Sequence, residues 1–344
     1  MPDIKTKNIY YMLSYAYEAL KEDGVKDLGQ EDFDHVHDLF AAILARGVAT
    51  QVKSGLHRDF VQYEDDITLV RGRIMVNETI KRQTRIKNRL VCTYDLFVTD
   101  SPHNQALKST ISLLIRHGDV KDKNKIALKK VLLYFSDVTD TSPTAIRWDA
   151  LKYHRNNASY RMLLNICHFI IDGLLLTTES GAYRLTAWLN DDAMHRLYER
   201  FVLVYYKTHH KELYPKSELI DWNVTETSNY LPVMATDISL SFNNKQMIID
   251  TKYYSHTMRS RYGDKQKYIS HNLYQIFTYV KNKEKDATGD VYGILLYAKT
   301  DEEITPDENL VICGSHIGVH TLDLNCEWCV ITEQLEEICA VLRQ

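Results

Sequence analysis

The sequence predicts an α/β protein with an N-terminal mixed α+β domain, which carries a protruding β-hairpin, and a C-terminal α/β domain with a mixed sheet. Three observations support this. The 344 residues suffice for two hydrophobic cores. The apolar residues follow helical spacing in some segments and strand spacing in others. From about residue 193, a long helix precedes two strands, a helix and another strand.

The N-terminal half combines helices with one β-rich segment. Residues 59–80 alternate β-branched and polar side chains around Arg71 and Gly72. A glycine between two such runs predicts a hairpin with Gly72 at its tip. Helices are predicted where apolar residues recur at helical spacing, over residues 8–21, 38–55, 104–118, 122–136 and 157–176.

A polar stretch, DVTDTSPTAIR, lies near the middle of the chain and contains Pro143, one of only six prolines. Such stretches are typical of domain boundaries. We therefore expect two domains, 1–150 and 151–344.

The C-terminal half has the pattern of a mixed sheet with helices. Its predicted helices cover residues 193–213 and 271–283, and its predicted strands cover 233–242, 246–254 and 291–298.

Bulk properties indicate a cytoplasmic protein with no membrane segment. The six cysteines are scattered, as expected of reduced thiols. The N-terminus has no apolar signal core, and the most apolar stretch, 163–176, is interrupted by His168 and Asp172. No Gly-rich phosphate loop ending in Lys-Ser/Thr is present, so we expect no bound nucleotide of its own.

The segment VMATDISLSFNNKQMIIDTKYY predicts a second hairpin, and its register can be counted. Asn243-Asn244 can supply the two positive-φ residues of a type I′ turn. A two-residue loop pairs Phe242 with Lys245, and counting back places Asp237 opposite Asp250. Directly opposed Cβ atoms lie about 4.5–5.5 Å apart.

Lys252 is two residues beyond Asp250, so both side chains point to the same face of the strand. Two opposed carboxylates repel each other unless a cation lies between them, and Mg²⁺ prefers carboxylate oxygens. A neighbouring lysine suits an anionic phosphate and its attacking water. The alternative is an ordinary surface hairpin with a cross-strand ion pair.

Two features follow the hairpin. Gln275 and Tyr279 are four residues apart and share one helical face, where they could hold a phosphate or a backbone group. Residues 251–285 contain eight basic side chains against Asp264 and Glu284, a local charge of +6. This excess suits a DNA backbone, although a solvated loop is the alternative. The candidate DNA-binding residues are Arg259, Arg261, Lys265 and Lys267.

The sequence resembles the McrC family, the nuclease subunits of McrBC modification-dependent restriction systems. The likeness covers most of the chain. Its segments are NIYYMLSYAYEAL, GRI at 72–74, NQALKSTISLLIRH at 104–117, LYERF at 197–201, ATDISL, IIDTKYY and NLYQIFTYV.

The resemblance implies a PD-(D/E)xK restriction-endonuclease-like domain in the C-terminal half. Asp237 and Asp250 would be ligands of Mg²⁺, and Lys252 would be the catalytic lysine, with Gln275 and Tyr279 beside them. Glu199 would be a further acid, although a surface ion pair is the alternative. The family's usual proline before the first aspartate is Thr236 here, and a proline contributes no ligand.

The resemblance also implies that the N-terminal half docks into an McrB-like AAA+ GTPase hexamer and stimulates it. Arg73 matches the stimulating position, with Arg71 and Gly72 beside it. Residues 71–90 carry seven basic side chains against Glu78, a local charge of +6.

Three hypotheses for the function remain. The first is an endonuclease subunit that cuts double-stranded DNA in a GTP-dependent complex specific for modified cytosine. The second is a non-cleaving regulatory subunit that organises and activates the GTPase ring. The third is a free-standing nuclease.

Cys326-Glu-Trp-Cys329 is a lone CxxC pair. A zinc or iron–sulfur site needs four ligands, so the pattern favours structural thiols. The flanking sequence TLDLNCEWCVI predicts a strand.

Overall fold

The fold was analysed in a computed structural model. It describes residues 4–17, 33, 35–153, 158–177, 183–185, 189–226, 230–254, 258–259, 267–285, 287, 289–299 and 305–344.

These described residues contain nine α-helices, and each helix predicted from apolar spacing is present where it is described; the predicted helical residues 18–21 and 157 lie outside the described residues. The helices are α1 (Thr6–Ala16), α2 (Val36–Ser54), α3 (Val76–Lys81), α4 (Pro102–His117), α5 (Asp122–Leu132), α6 (Ala158–Leu174), α7 (Asp191–His209), α8 (Ser270–Lys283) and α9 (Trp328–Ala340).

The described strands are mostly short, and the longest belong to two sheets. They are β1 (Asp59–Ile67), β2 (Arg73–Ile74), β3 (Leu90–Val98), β4 (Leu175–Thr177), β5 (Tyr183–Leu185), β6 (Leu219–Ile220), β7 (Met234–Ala235), β8 (Ile238–Phe242), β9 (Lys245–Lys252), β10 (Met258–Arg259), β11 (Lys267–Tyr268), β12 (Val291–Ala298), β13 (Glu308–Ile312) and β14 (Ser315–Leu322).

Contacts divide the chain into two compact units. The first comprises Met1–Leu39, Asp172–Leu174 and Thr186–Gln344, and the second comprises Phe40–Ile171 and Leu175–Leu185. The first helix therefore belongs to the same unit as the C-terminal sheet. The division into functional domains 1–150 and 151–344 stays a prediction.

The first unit contains a mixed five-stranded sheet in the order β13-β14-β12-β9-β8. Strand β12 is parallel to β9 and to β14, whereas β8 and β13 are antiparallel to their neighbours. The prediction of an α/β fold with a mixed sheet is confirmed. Strand β9 lies inside the sheet and is buried from Met247 to Lys252, as expected for a strand with neighbours on both sides.

The β8–β9 register is the one that the two-residue turn predicts. Phe242 pairs with Lys245, and Ile238 pairs with Ile249. The next step of the register brings Asp237 opposite Asp250, beyond the last paired residues. Only Asn243 of the turn has a positive φ, at 53°, so the predicted type I′ turn is wrong at its second residue.

Helix α8 covers one face of this sheet and connects the parallel strands β9 and β12. Its buried residues Ile276 and Val280 pack with Ile248 of β9 and Leu295 of β12 in one core cluster. Side chains alternate along a strand, so Asp250 shares the face of Ile248 and points toward α8.

The second unit contains a three-stranded sheet in the order β1-β3-β2. Strand β1 pairs with β3 over its full length, and β2 pairs with the other edge of β3. The predicted hairpin within 59–80 is therefore wrong, because β3 lies between its two strands. The alternating pattern within 59–80 correctly predicted strands in this segment, β1 and β2. The strand that pairs with both of them is β3, from residues 90–98.

The last forty residues contain elements that the sequence analysis missed. Strands β13 and β14 are joined by Cys313-Gly314, whose φ angles of 50° and 82° have the signs of a type I′ turn. The strand predicted around the CxxC pair is wrong beyond Leu322, where β14 ends. Cys329 lies in α9, and Cys326 lies in the loop before it. Within the described residues, no helix is long and apolar enough to cross a membrane.

Candidate active site

Strand β9 carries the first two residues of the candidate site on the face toward α8. Asp250 is 1% exposed and Lys252 is 7% exposed. The Lys252 ammonium lies 2.6 Å from Oδ2 of Asp250, so the two form a buried ion pair. The predicted placement of both side chains on one face is confirmed.

The Asp250 carboxylate is buried in an unusual way. Within the described residues, Oδ1 accepts no hydrogen bond, and Oδ2 is contacted by the Lys252 ammonium at 2.6 Å. Burial raises the pKa of Asp250 to about 6, with a further rise from Asp237, against the opposing effect of Lys252. A buried carboxylate with one oxygen left without a donor is costly, and functional sites commonly contain such groups.

Lys252 is also tied to helix α8. Its Nζ donates to Oε1 of Gln275 at 3.1 Å, and Nε2 of Gln275 donates to the Tyr279 hydroxyl at 3.0 Å. Burial is the largest single influence on the pKa of Lys252 and lowers it, but the contact with Asp250 and the charges of Tyr254 and Asp237 together raise it more, so the net shift is upward. Gln275 and Tyr279 therefore lie on the face of α8 that is directed at Lys252, and their predicted position on one helical face is confirmed.

Asp237 lies at the end of β8 and is half-buried. Its Oδ2 accepts hydrogen bonds from the backbone N–H of Thr251 at 2.7 Å and from the Thr251 hydroxyl at 2.8 Å. The carboxylate therefore takes the position of a ladder acceptor at the point where the two strands stop pairing.

Helix α7 brings two more ionisable groups to the same place. The side chain of Asn190 caps its N-terminus by accepting from the Ala193 N–H at 2.8 Å. Glu199, on this helix, is half-buried. Burial raises its pKa to about 7, with additional rises from the charges of Asp237 and Asp250.

His195 lies one turn before Glu199, and the sequence analysis did not identify it. Burial lowers its pKa, while the charge of Asp237 opposes this and Lys252 reinforces it. Its Nδ1 is buried and has no hydrogen-bond partner among the described residues. The four-residue spacing from Glu199 on an amphipathic helix was the available signal.

The donor set suits a hard divalent cation. Asp237, Asp250 and Glu199 influence one another electrostatically, and the buried Oδ1 of Asp250 has no donor among the described residues. Mg²⁺ takes oxygen ligands and keeps several waters, so it needs only one or two carboxylates. Within the described residues, these three carboxylates are not among the groups whose ligand atoms all lie within 4.8 Å of one another.

The candidate DNA-binding residues are only partly described. Arg259 and Lys267 are paired in the antiparallel β10–β11 ribbon. Lys267 is exposed, whereas Arg261 and Lys265 lie outside the described residues.

The residues expected to stimulate a GTPase lie in the three-stranded sheet of the second unit. The guanidinium of Arg71 stacks over the Tyr94 ring at 4.8 Å. Gly72 has a φ of +66°, and a Cβ there would lie 2.3 Å from the Thr93 carbonyl oxygen. Gly72 therefore packs closely on β3 and is not the tip of a hairpin. Arg73 is exposed and lies opposite Thr93.

The fold and the site together define an α/β protein with a buried acid–lysine centre at the carboxyl end of an inner sheet strand, where α/β proteins commonly bind ligands. Residues 3–298 match the family described as McrBC 5-methylcytosine restriction system component. The chain belongs to this family.

Two groups of known proteins are similar to the chain. It is 27% identical over 342 residues to the Escherichia coli (strain K12) type IV methyl-directed restriction enzyme EcoKMcrBC. The alignment covers 98% of this chain and 97% of the E. coli protein. A chain in the half-complex of Thermococcus gammatolerans McrB AAA+ hexamers with bound McrC matches 98% of this chain and 76% of its own length. Its sequence identity is 14% and the TM-score is 0.57, which indicates a shared fold.

Proposed function

We propose that this chain is the DNA-cleaving subunit of a GTP-dependent restriction complex directed at modified cytosine, with a magnesium-dependent active site of the PD-(D/E)xK type. The main support is the buried chain of contacts from Asp250 through Lys252 to Gln275 and Tyr279. A surface ion pair would not need to be buried or held by a second element.

The proposed reaction is hydrolysis of a phosphodiester by water in line at phosphorus. Lys252 has three N–H donors, and two of them point to Asp250 and Gln275. One donor is left for a phosphate oxygen or the attacking water. Because its pKa is raised, the lysine stays protonated and acts as a donor and a positive charge, not as a base.

Asp237, Asp250 and Glu199 would hold Mg²⁺. When bound, the ion polarises the scissile phosphate and lowers the pKa of a coordinated water. Two of these carboxylates are held in place: Thr251 fixes Asp237 through two hydrogen bonds, and Asp250 is on the buried strand β9.

We propose an McrB-like AAA+ GTPase hexamer as the partner, because the solved fold relative belongs to an assembly of McrB hexamers with bound McrC. The second unit has a surface suited to such a contact. Phe60 and Phe97 are paired on the three-stranded sheet with ring centroids 4.8 Å apart, yet they are 75% and 54% exposed. Leu69, beside Arg71, is 82% exposed. Exposed apolar patches mark interaction sites.

Plasmid cleavage tests the nuclease assignment. The assay contains Mg²⁺ and methylated plasmid, with and without the GTPase partner and GTP. It compares the wild-type protein with Lys252→Ala and with the control Lys245→Ala, at the opposite end of the same strand. We expect cleavage by the wild type and the control, and at least a hundredfold loss in Lys252→Ala. Equal cleavage by all three proteins would refute the assignment.

The regulatory alternative rests on the exposed sheet around Arg73. Arg73→Ala should lower the partner's GTP hydrolysis rate, whereas Lys129→Ala, at an exposed lysine of the same unit outside residues 71–90, should not. An unchanged rate in Arg73→Ala would remove Arg73 from this role. Stimulated GTP hydrolysis without any cleavage by the wild type would favour a purely regulatory subunit.

A further inference from the structure

Three side chains of the second unit converge outside the proposed active site. Nε2 of His57 lies 3.0 Å from Oδ1 of Asp59, and Nδ1 of His103 lies 3.7 Å from Oδ2 of Asp59. One ligand atom from each of the three side chains lies within 4.8 Å of the other two. The histidine side chains are only 10% and 6% exposed, whereas Asp59 is 37% exposed.

The protonation of His103 is set by its other nitrogen. Nε2 of His103 lies 3.1 Å from the carbonyl oxygen of Lys152, which can only accept, so Nε2 carries the proton. In the neutral ring, Nδ1 then directs a lone pair toward the Asp59 carboxylate. A histidine that binds a metal ion commonly donates its second N–H to a backbone carbonyl in this way.

Nε2 of His57 is within hydrogen-bond distance of Asp59, whereas Nδ1 of His103 is too far from it for a direct hydrogen bond. A His–Asp hydrogen bond is about 2.9 Å long, shorter than the 3.7 Å from His103 to Asp59. With metal–ligand bonds of about 2.0–2.1 Å, the ligands of a tetrahedral site are about 3.3 Å apart. The 3.0 Å and 3.7 Å separations involve different oxygens of Asp59, so an ion would have to draw one carboxylate oxygen and both nitrogens together to this spacing.

We propose that His57, Asp59 and His103 bind a Zn²⁺ ion that anchors the three-stranded sheet. Two imidazoles and one carboxylate are ligands that zinc commonly binds.

The position of the cluster explains the anchoring role. Asp59 pairs with Val98 at one end of the β1–β3 ladder, and His103 is in the first turn of α4. Asn104 already donates to the carbonyls of His57 and Thr99 at 2.8 Å and 2.7 Å. A metal ion there would fix the end of the sheet to the helix.

A second cluster, formed by His210, Glu336 and Cys339, is less suited to a metal ion. The guanidinium of Arg343 lies 2.7 Å from Nδ1 of His210. Its positive charge would repel a metal ion bound at this histidine. Burial raises the pKa of the Cys339 thiol to about 11, which disfavours the thiolate that a metal would need.

Zinc analysis of the full-length protein tests the proposal. The protein is equilibrated with buffered micromolar Zn²⁺ and excess Mg²⁺, and bound zinc is measured by mass spectrometry. The test variants are Asp59→Asn and His103→Ala. The controls are His117→Ala, an exposed histidine on the same helix, and Asp250→Asn in the other unit.

We expect about one zinc per chain in the wild type and both controls, and background levels in both test variants. Zinc at background in the wild type, or unchanged in Asp59→Asn, would overturn the proposal.

Thermal unfolding separates loss of the site from loss of the fold. A zinc-selective chelator, with Mg²⁺ kept in excess, should lower the Tm of the zinc-loaded wild type and leave that of Asp59→Asn unchanged. A wild-type Tm that does not respond to the chelator would also overturn the proposal.

Discussion

The buried carboxylate of Asp250 should destabilise the metal-free protein at neutral pH, so Asp250→Asn should stabilise it. Asparagine has the size of aspartate and matches its protonated form. The Asp250 pKa rises from 3.8 to about 6, so the folded chain holds this proton more tightly than the unfolded chain. The stability linked to this proton is fully present below about pH 3.8 and is lost as the pH rises through about 6.

The size of the effect follows from the shift. About two pKa units at about 1.4 kcal/mol each amount to roughly 3 kcal/mol in the free energy of unfolding. Because Asp250 is 1% exposed, solvent screening does not reduce this value much. The value already includes the attraction of Lys252, which lowers the Asp250 pKa. For domains of about 150–250 residues, 3 kcal/mol corresponds to a Tm difference of roughly 6–12 °C.

Thermal and urea unfolding between pH 4 and pH 8, with EDTA, measure the effect. We expect Asp250→Asn to be more stable than the wild type at pH 8 and the difference to vanish toward pH 4. The matched control is Asp221→Asn, an exposed aspartate in the same unit, which should be neutral throughout.

The variant should gain stability and lose cleavage, because the charge that destabilises the fold is the one proposed to bind Mg²⁺. Addition of Mg²⁺ should raise the stability of the wild type and narrow the gap. Equal or lower stability of Asp250→Asn at pH 8, or a gap that does not depend on pH, would refute the reasoning about Asp250.

Two further predictions concern positioning and backbone geometry. Tyr279→Phe removes the hydroxyl that accepts a hydrogen bond from the Gln275 amide, a bond of about 1 kcal/mol. Single-turnover cleavage should therefore slow about fivefold while the fold persists. An unchanged rate would show that Gln275 does not position Lys252. Gly72→Ala should destabilise the second unit more than Gly55→Ala in thermal unfolding. Both glycines have positive φ, but only at Gly72 would an added Cβ lie against the Thr93 carbonyl oxygen. Equal destabilisation by the two substitutions would show that the backbone shifts enough to remove this clash.

Local rules predicted the part of the site that lies within single elements. The two-residue turn and the two-residue period of a strand fixed the pairing of β8 with β9 and put Asp250 and Lys252 on one face. The four-residue helical period put Gln275 and Tyr279 on one face of α8. Each of these inferences needs only neighbours in sequence.

Contacts between distant segments could not be predicted in the same way. The hydrogen bond from Lys252 to Gln275 depends on how α8 packs on the sheet, and the hydrogen bonds from Thr251 to Asp237 depend on where the β8–β9 ladder ends. The position of His195 near Asp237 and Lys252 depends on how α7 packs against the rest of the unit. The partner of β1 was also misjudged, because the alternating pattern of a strand does not specify which strand it pairs with.

The sequence by itself determined the family resemblance, the helices of both halves, the β8–β9 register and the residue types of the site. Only the tertiary structure decided that Oδ1 of Asp250 is buried without a donor among the described residues, that Gln275 holds Lys252, and that Glu199 lies within electrostatic range of Asp250. The physical reason is that side-chain periodicity is a property of a few consecutive residues. Burial, pKa shifts and sheet order depend on segments that are far apart in the chain and meet only when it folds.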